Sequence, residues 1–233
     1  MKKLLVILFG AISLVAQAQS QADLLGHYQD YYRQMRLQGD VQGVINALTH
    51  LNLLDPSPAR LDTLAYVYTN NNQHMQALNT IGIERNPEDS DLALQVKAVS
   101  LKALNQPRRA LEQFQLMYER GPNPYLAYEI ADLKIQVGDS PGSLSEIEYG
   151  ISNATDDMKY AFYERQQPYE VPLKAAFVHL KGLAQFNMDK NNIDQAIASF
   201  DEALAMAPNF NLASLSKQAL ESRKQTPEDP KQE

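Results

Sequence analysis

Cysteine is absent from the 233-residue chain, so no disulfide staples the fold and no thiol near the N-terminus can accept lipid. Tryptophan is absent too, and there are only 10 glycines, a composition that suits helices better than a β-sandwich. The four histidines, His27, His50, His74 and His179, fall in separate segments with no H-E-x-x-H or other zinc spacing. No metal site and no cofactor are expected from them. There is no G-x-S-x-G elbow, P-loop or G-x-G-x-x-G, and adjacent acids such as Asp156-Asp157 sit in loop-like sequence where they cap helices or face solvent. No catalytic residue is assigned, and a non-enzymatic role follows.

What is present begins at the N-terminus. Met1-Lys2-Lys3 is followed by an apolar run from Leu4 to Val15 and by Ala16-Gln17-Ala18, the order of a cleavable signal peptide. The run is too short for a relaxed transmembrane helix of about 20 residues, and no later segment is long and uncharged. Residues 1–18 are expected to be removed, leaving an exported protein of the periplasm or the extracellular space rather than a lipoprotein. Losing Lys2 and Lys3 moves the formal charge from −7 to −9. Scattered acidic charge argues against nucleic acid as a partner, since a phosphate groove needs clustered Lys and Arg. At the other end, residues 224–233 are polar, Pro-containing and expected to be disordered.

Between these ends a pattern repeats near 34 residues. In residues 177–210, Leu180, Leu183-Ala184, Ala196, Phe200, Ala203 and Pro208 follow the order L-x2-L-A…A-x3-F…P, with "DKNN" as the turn between two helices. Leu94, Ala98, Ala110, Phe114 and Pro122 repeat it upstream, and Leu94 to Pro122 spans the same distance as Leu180 to Pro208 and as Tyr28 to Pro56. A unit with Leu61, Leu64-Ala65, Tyr68 and Ala77 reaches its Pro87 two residues early, which implies a shorter second helix. Tyr128, Ala131, Ile135 and Leu144 mark the weakest unit, whose turn is rich in breakers. After Pro208, Asn211 is placed as an N-cap for a last helix with Leu212, Leu215, Ala219 and Leu220 on one face.

This pattern resembles the tetratricopeptide repeat. The resemblance implies an all-α solenoid of about five helix pairs, at 25–56, 58–87, 91–122, 125–155 and 177–208, within a domain of 19–223 that ends in a capping helix. Each pair buries its apolar stripe only by stacking on its neighbours. Ala65, Ala98, Ala110, Ala184, Ala196 and Ala203 are read as packing positions where helices touch. The resemblance also implies a protein or peptide partner held on the concave face formed by the first helix of each pair. The family's carboxylate clamp does not carry over, because its slots hold Gln29 and Arg33, then Thr63, then Leu92 and Val96.

Those concave positions change character along the chain. They are polar at Gln29, Arg33, Arg36, Asp62, Tyr66, Thr69 and Asn70, and apolar at Leu92, Val96, Val99, Ile130, Leu133 and Val137. A helix apolar on every side should be buried on every side, so something must cover the middle of the groove. A partner's helix or strand, a second copy of the protein, or the chain's own insertion would serve.

The insertion lies at 156–171, where the repeat register jumps. Tyr160 and Phe162 alternate with Lys159, Ala161 and Tyr163, "ERQQ" is polar enough to turn, and "PYEV" follows as a second strand. A β-hairpin is the favoured reading, with Pro172 as the first residue of the next helix. A continuous helix capped by Asp156 or Asp157 is the alternative. Together with the repeats, this segment resembles secreted repeat proteins of Gram-negative bacteria, Bacteroidetes among them. The aromatics Tyr160, Phe162, Tyr163 and Tyr169 either pack on the last repeats or wall a partner site. The function expected is an adaptor or scaffold of the cell envelope that binds an extended or amphipathic segment. A self-associating structural protein, possible as a homodimer, is the alternative, and an envelope enzyme acting on glycan or peptide is a third reading.

Overall fold

The computed structural model describes residues 21–225. The expected signal peptide and the tail beyond Gln225 lie outside the described residues. The chain divides between Ile81 and Gly82 into two compact units.

The first unit holds α1 (Gln21–Gln38), α2 (Val41–Leu54), α3 (Pro58–Asn70) and α4 (His74–Ile81). Each packs on the next in sequence. Asp40 starts α2 by accepting a 2.9 Å bond from the Gly43 N–H, and Pro58 begins α3 at a position where its missing N–H costs nothing. Val44, Ile45, Leu48 and Leu64 form the core, with Tyr32 and Met35 of α1 laid against it. The second helix of the second pair is short, at eight residues.

The second unit contains α5 (Asp91–Ala103), α6 (Pro107–Arg120), α7 (Pro124–Gln136), a 3-10 turn (Pro141–Ser143), α8 (Leu144–Asn153), β1 (Lys159–Phe162), β2 (Tyr169–Pro172), α9 (Leu173–Met188), α10 (Ile193–Met206) and α11 (Asn211–Gln225). Ser90 caps α5 and Asn123 caps α7, each accepting the N–H three residues on at 3.0 Å. Lys97, 3% exposed, donates to Asp89 at 2.5 Å and to the Glu84 carbonyl at 3.0 Å, which pins the connection before α5. Helices again pack in sequence order, the nearest-neighbour stacking of a solenoid.

The turns inside the first four pairs share one conformation. Gly39, Asn72, Asn105 and Gly138 all have positive φ, and each follows the last by 33 residues. In each, the N–H of the positive-φ residue bonds the carbonyl three back, and the next N–H bonds the carbonyl five back. That is the Schellman ending, which needs a left-handed residue that glycine or asparagine supplies at least cost. The next step of 33 falls on Val171, inside the insertion, and there the series stops.

The insertion is a hairpin. β1 and β2 pair antiparallel, with Tyr160 opposite Val171 and Phe162 opposite Tyr169. These four share one face of the ribbon because strand side chains alternate. Val171 is fully buried and Phe162 is 8% exposed, packed on Phe210 with ring centres 4.9 Å apart. Two expected boundaries shift. Pro172 ends β2 and caps α9, which begins at Leu173. Asn211 is the first residue inside α11, and the Phe210 carbonyl accepts that helix's first bond, so Asn211 is free to donate to Glu164. Helix α11 also takes in Lys224 and Gln225, assigned to the tail from sequence.

The six small residues read as packing positions are all fully buried. Gly150 and Gly182 go further. A Cβ on Gly150 would fall inside the Phe177 ring, and one on Gly182 would come within 2.5 Å of the Phe200 ring. Helices approach there as closely as backbone allows.

Candidate functional site

The apolar groove expected over the middle repeats is closed by the chain itself. Val96 and Ile130 are 1% exposed and Leu133 is fully buried. They are core residues and touch no partner while the helices are packed. Around α7 the reason is plain: α6, α8 and α9 all pack against it, and the hairpin lies over its Tyr128. Of the apolar set, Val99 alone keeps substantial exposure, at 40%. The insertion, expected as a possible cover, reaches α7 at Tyr128 and Glu129, and neighbouring helices pack against the rest.

In the first unit the polar positions remain at the surface. Gln29, Arg33, Tyr66 and Asn70 are exposed, Arg33 pairs with Asp30, and the Arg36 guanidinium sits 5.6 Å from the centre of the Tyr32 ring. Arg33 and Arg36 line an open cleft of about 360 Å³ with Leu37, all on α1. The polar positions form an exposed surface.

The walled site lies in the second unit, under the hairpin, as an open cavity of about 440 Å³. That volume falls within the range of about 300–1,000 Å³ typical of ligand pockets. Its walls come from β1 and from one helix of each pair in turn: Lys102 on α5, Tyr128 and Asp132 on α7, His179 and Leu183 on α9, Ser216 on α11. These are the first helices of pairs three to five and the capping helix, the elements expected to form the partner-facing surface.

Glu129 and Tyr160 organise this cavity. The Tyr160 hydroxyl donates to Glu129 at 2.7 Å, the Lys102 ammonium pairs with the same carboxylate, and the Tyr160 and Tyr128 ring centres are 4.1 Å apart. Burial, reinforced by the Glu129 charge, holds the Tyr160 hydroxyl far above the ordinary phenol value, so it is a permanent donor. Lys102 also lies 3.9 Å from Asp132, whose carboxyl is raised by burial against the opposing pull of Lys102. Gln136 donates to Asp132 Oδ2 at 2.8 Å, leaving Oδ1 without a donor among the described residues.

His179 and Ser216 sit at the far wall, Nε2 and Oγ 3.0 Å apart. Burial between Phe200 and Phe210 pushes the imidazole down to about 4, so it is neutral at pH 7. A neutral histidine beside a serine is half of a nucleophile–base pair. Its Nδ1 has no acid to orient it among the described residues, and Ser216 lies mid-helix, where backbone N–H groups are committed to carbonyls and offer no oxyanion hole. The pair forms a hydrogen bond within an aromatic wall.

The four insertion aromatics divide. Tyr160, Phe162 and Tyr169 pack inward, Tyr169 also donating to Glu164 at 2.6 Å. Tyr163 is 75% exposed at the rim of the cavity. Sequence reasoning singled out these aromatics but missed Lys102, Glu129, Asp132, His179 and Ser216 as a group. Their one shared signal is periodic: Glu129 and Asp132 lie three apart on one face of α7, and His179 and Leu183 lie four apart on α9.

No protein-family model matches the sequence, and no curated protein is significantly similar to it. Solved structures are similar in fold. MamA protein superposes with a TM-score of 0.57 at 16% identity, covering 91% of this chain and all of the other. YrrB, described as a TPR protein with an unusual peptide-binding site, gives 0.63 at 16% identity, over 82% of this chain and 90% of the other. A tetratricopeptide repeat protein from Parabacteroides merdae gives 0.43 at 17% identity, over 91% and 75%. The chain has the all-α tetratricopeptide-repeat fold, to which the hairpin is added. At these identities the likeness carries fold and not function.

Proposed function

We propose that this protein is a non-catalytic adaptor that captures an extended or amphipathic segment of a partner protein on the surface lined by the first helices of its pairs. The observation that carries the reading is the cavity under the hairpin. Consecutive first helices supply its walls, and one aromatic stands exposed at its mouth. The repeat fold supports the reading, and the solved neighbour YrrB, described as having an unusual peptide-binding site, is its analogue in fold. Affinity would come from covering Tyr163 and the apolar cavity walls, with polar groups fixing orientation.

The place of action we propose is the bacterial cell envelope, from the charged, apolar and small-residue order of residues 1–18. Crosslinking in intact cells, followed by mass spectrometry of the captured species, tests both parts. The expected result is a protein crosslinked to the second unit, on a chain whose N-terminus is Gln19. Recovery of the chain with Met1 in place would remove the envelope assignment, and a screen returning no protein partner would remove the adaptor.

A further inference from the structure

We propose that the cavity beneath the hairpin receives an arginine side chain of the bound segment, with its guanidinium set against Asp132 and the rings of Tyr160 and Tyr163. This rests on the peptide-capture reading above and specifies its chemistry.

Charge selects a cation. The cavity's ionised groups are Lys102, Asp132 and, immediately behind Tyr160, Glu129. Lys102 is engaged by Glu129 and lies 3.9 Å from Asp132, so its positive charge is already met. Two carboxylates against one ammonium leave the site one negative charge in excess. Asp132 Oδ1 adds an acceptor with no donor among the described residues. An anionic guest would meet uncompensated repulsion, and a neutral one would cover the carboxylate without the opposite charge that offsets its lost hydration.

Aromatic faces select arginine among cations. Tyr128 is buried with Tyr160 packed on it, ring centres 4.1 Å apart, so the rings left to a guest are those of half-buried Tyr160 and exposed Tyr163 at the mouth. A guanidinium is flat, weakly hydrated and able to donate to a carboxylate along its edge while its face lies on a ring. An ammonium is compact and strongly hydrated and uses only the charge. The order arginine over lysine over a neutral isostere follows.

The test uses the mature chain, labelled for NMR, titrated with N-acetyl-arginine N-methylamide and with its citrulline and lysine counterparts; citrulline keeps the shape and loses the charge. The expected result is shift changes confined to Asp132, Tyr160, Tyr163 and their neighbours, with arginine at least about tenfold tighter than citrulline, the discrimination a charged hydrogen-bonded contact supplies. Asp132→Asn should erase that preference, and Tyr163→Ala, at an exposed position that leaves folding alone, should weaken arginine binding several-fold. Equal shifts from citrulline, or shifts elsewhere on the surface, overturn the inference. A randomised peptide array on the same protein separates the two readings. Peptides captured without arginine enrichment leave the adaptor standing and remove the arginine pocket, whereas no captured peptide removes the adaptor and leaves the amide titration to decide the pocket.

Discussion

The Tyr160 hydroxyl donates to Glu129 at 2.7 Å, tying the hairpin to α7 across 31 residues of chain. Glu129 also holds Lys102 from α5, so one carboxylate joins two helices and the insertion. Tyr160→Phe keeps the ring on Tyr128 and removes only this bond. A hydrogen bond to a charged, largely buried acceptor contributes about 1.5–3 kcal/mol, so the melting temperature should fall by about 3–12 °C. An unchanged melt would mean that stacking alone holds the hairpin down.

His179 makes the protein acid-sensitive. Its folded value of about 4 lies below the ordinary 6.5, so the unfolded chain takes up the proton first as pH falls. The neutral side chain carries no penalty above 6.5, and stability is lost between there and about 4. At about 1.4 kcal/mol per pH unit the loss reaches roughly 3 kcal/mol. In denaturant melts across this window the wild type should lose stability with falling pH more steeply than His179→Gln, and equal slopes would show that burial of the imidazole is not the cause.

Asp132 has the opposite sign. Its carboxyl is raised by burial, so the ionised form costs stability at neutral pH, and the cost disappears as pH falls through the raised folded value toward the ordinary carboxylate range. Asp132→Asn should therefore melt no lower than wild type at pH 7, with any advantage shrinking in acid. A clear loss of stability at pH 7 would show that the pairing with Lys102 outweighs burial.

Gly150→Ala places two favourable and unfavourable effects in competition. Alanine gains about 1 kcal/mol of helix propensity, but its methyl group would enter the ring of Phe177, which is fully buried and has no room to retreat. Overpacking of this kind costs about 1–3 kcal/mol or more. Net destabilisation is expected by thermal melt, and a more stable variant would show that α8 and α9 can part without loss.

Tyr163 and Tyr169 should behave differently although they flank one turn. Tyr163→Ala removes an exposed ring and should change stability by no more than about 0.5 kcal/mol while weakening partner capture. Tyr169→Ala removes the stack on Phe162 and the bond to Glu164, and should cost about 2–3 kcal/mol. Reversed outcomes would move the recognition surface away from the cavity mouth.

The repeat architecture was legible because its signals are local. Leu94, Ala98, Ala110 and Phe114 recur in the register of Leu180, Ala184, Ala196 and Phe200, and alternation at Tyr160 and Phe162 marks a strand within a few residues. The fate of apolar side chains was less so. Val96, Ile130 and Leu133 looked like groove residues from the family's slot pattern, but whether a helix face meets solvent depends on how closely its neighbours pack.

From the sequence alone came helix pairs, a hairpin breaking their register, and aromatics on that hairpin, since periodicity and turn chemistry act over a few residues. Only the tertiary structure decided that the hairpin folds back over α7, that Tyr160 meets Glu129, and that Lys102, Asp132, His179 and Ser216 share a cavity. Those groups lie up to 114 residues apart, from Lys102 to Ser216, and side-chain chemistry at such separation is set by packing, which no local pattern encodes.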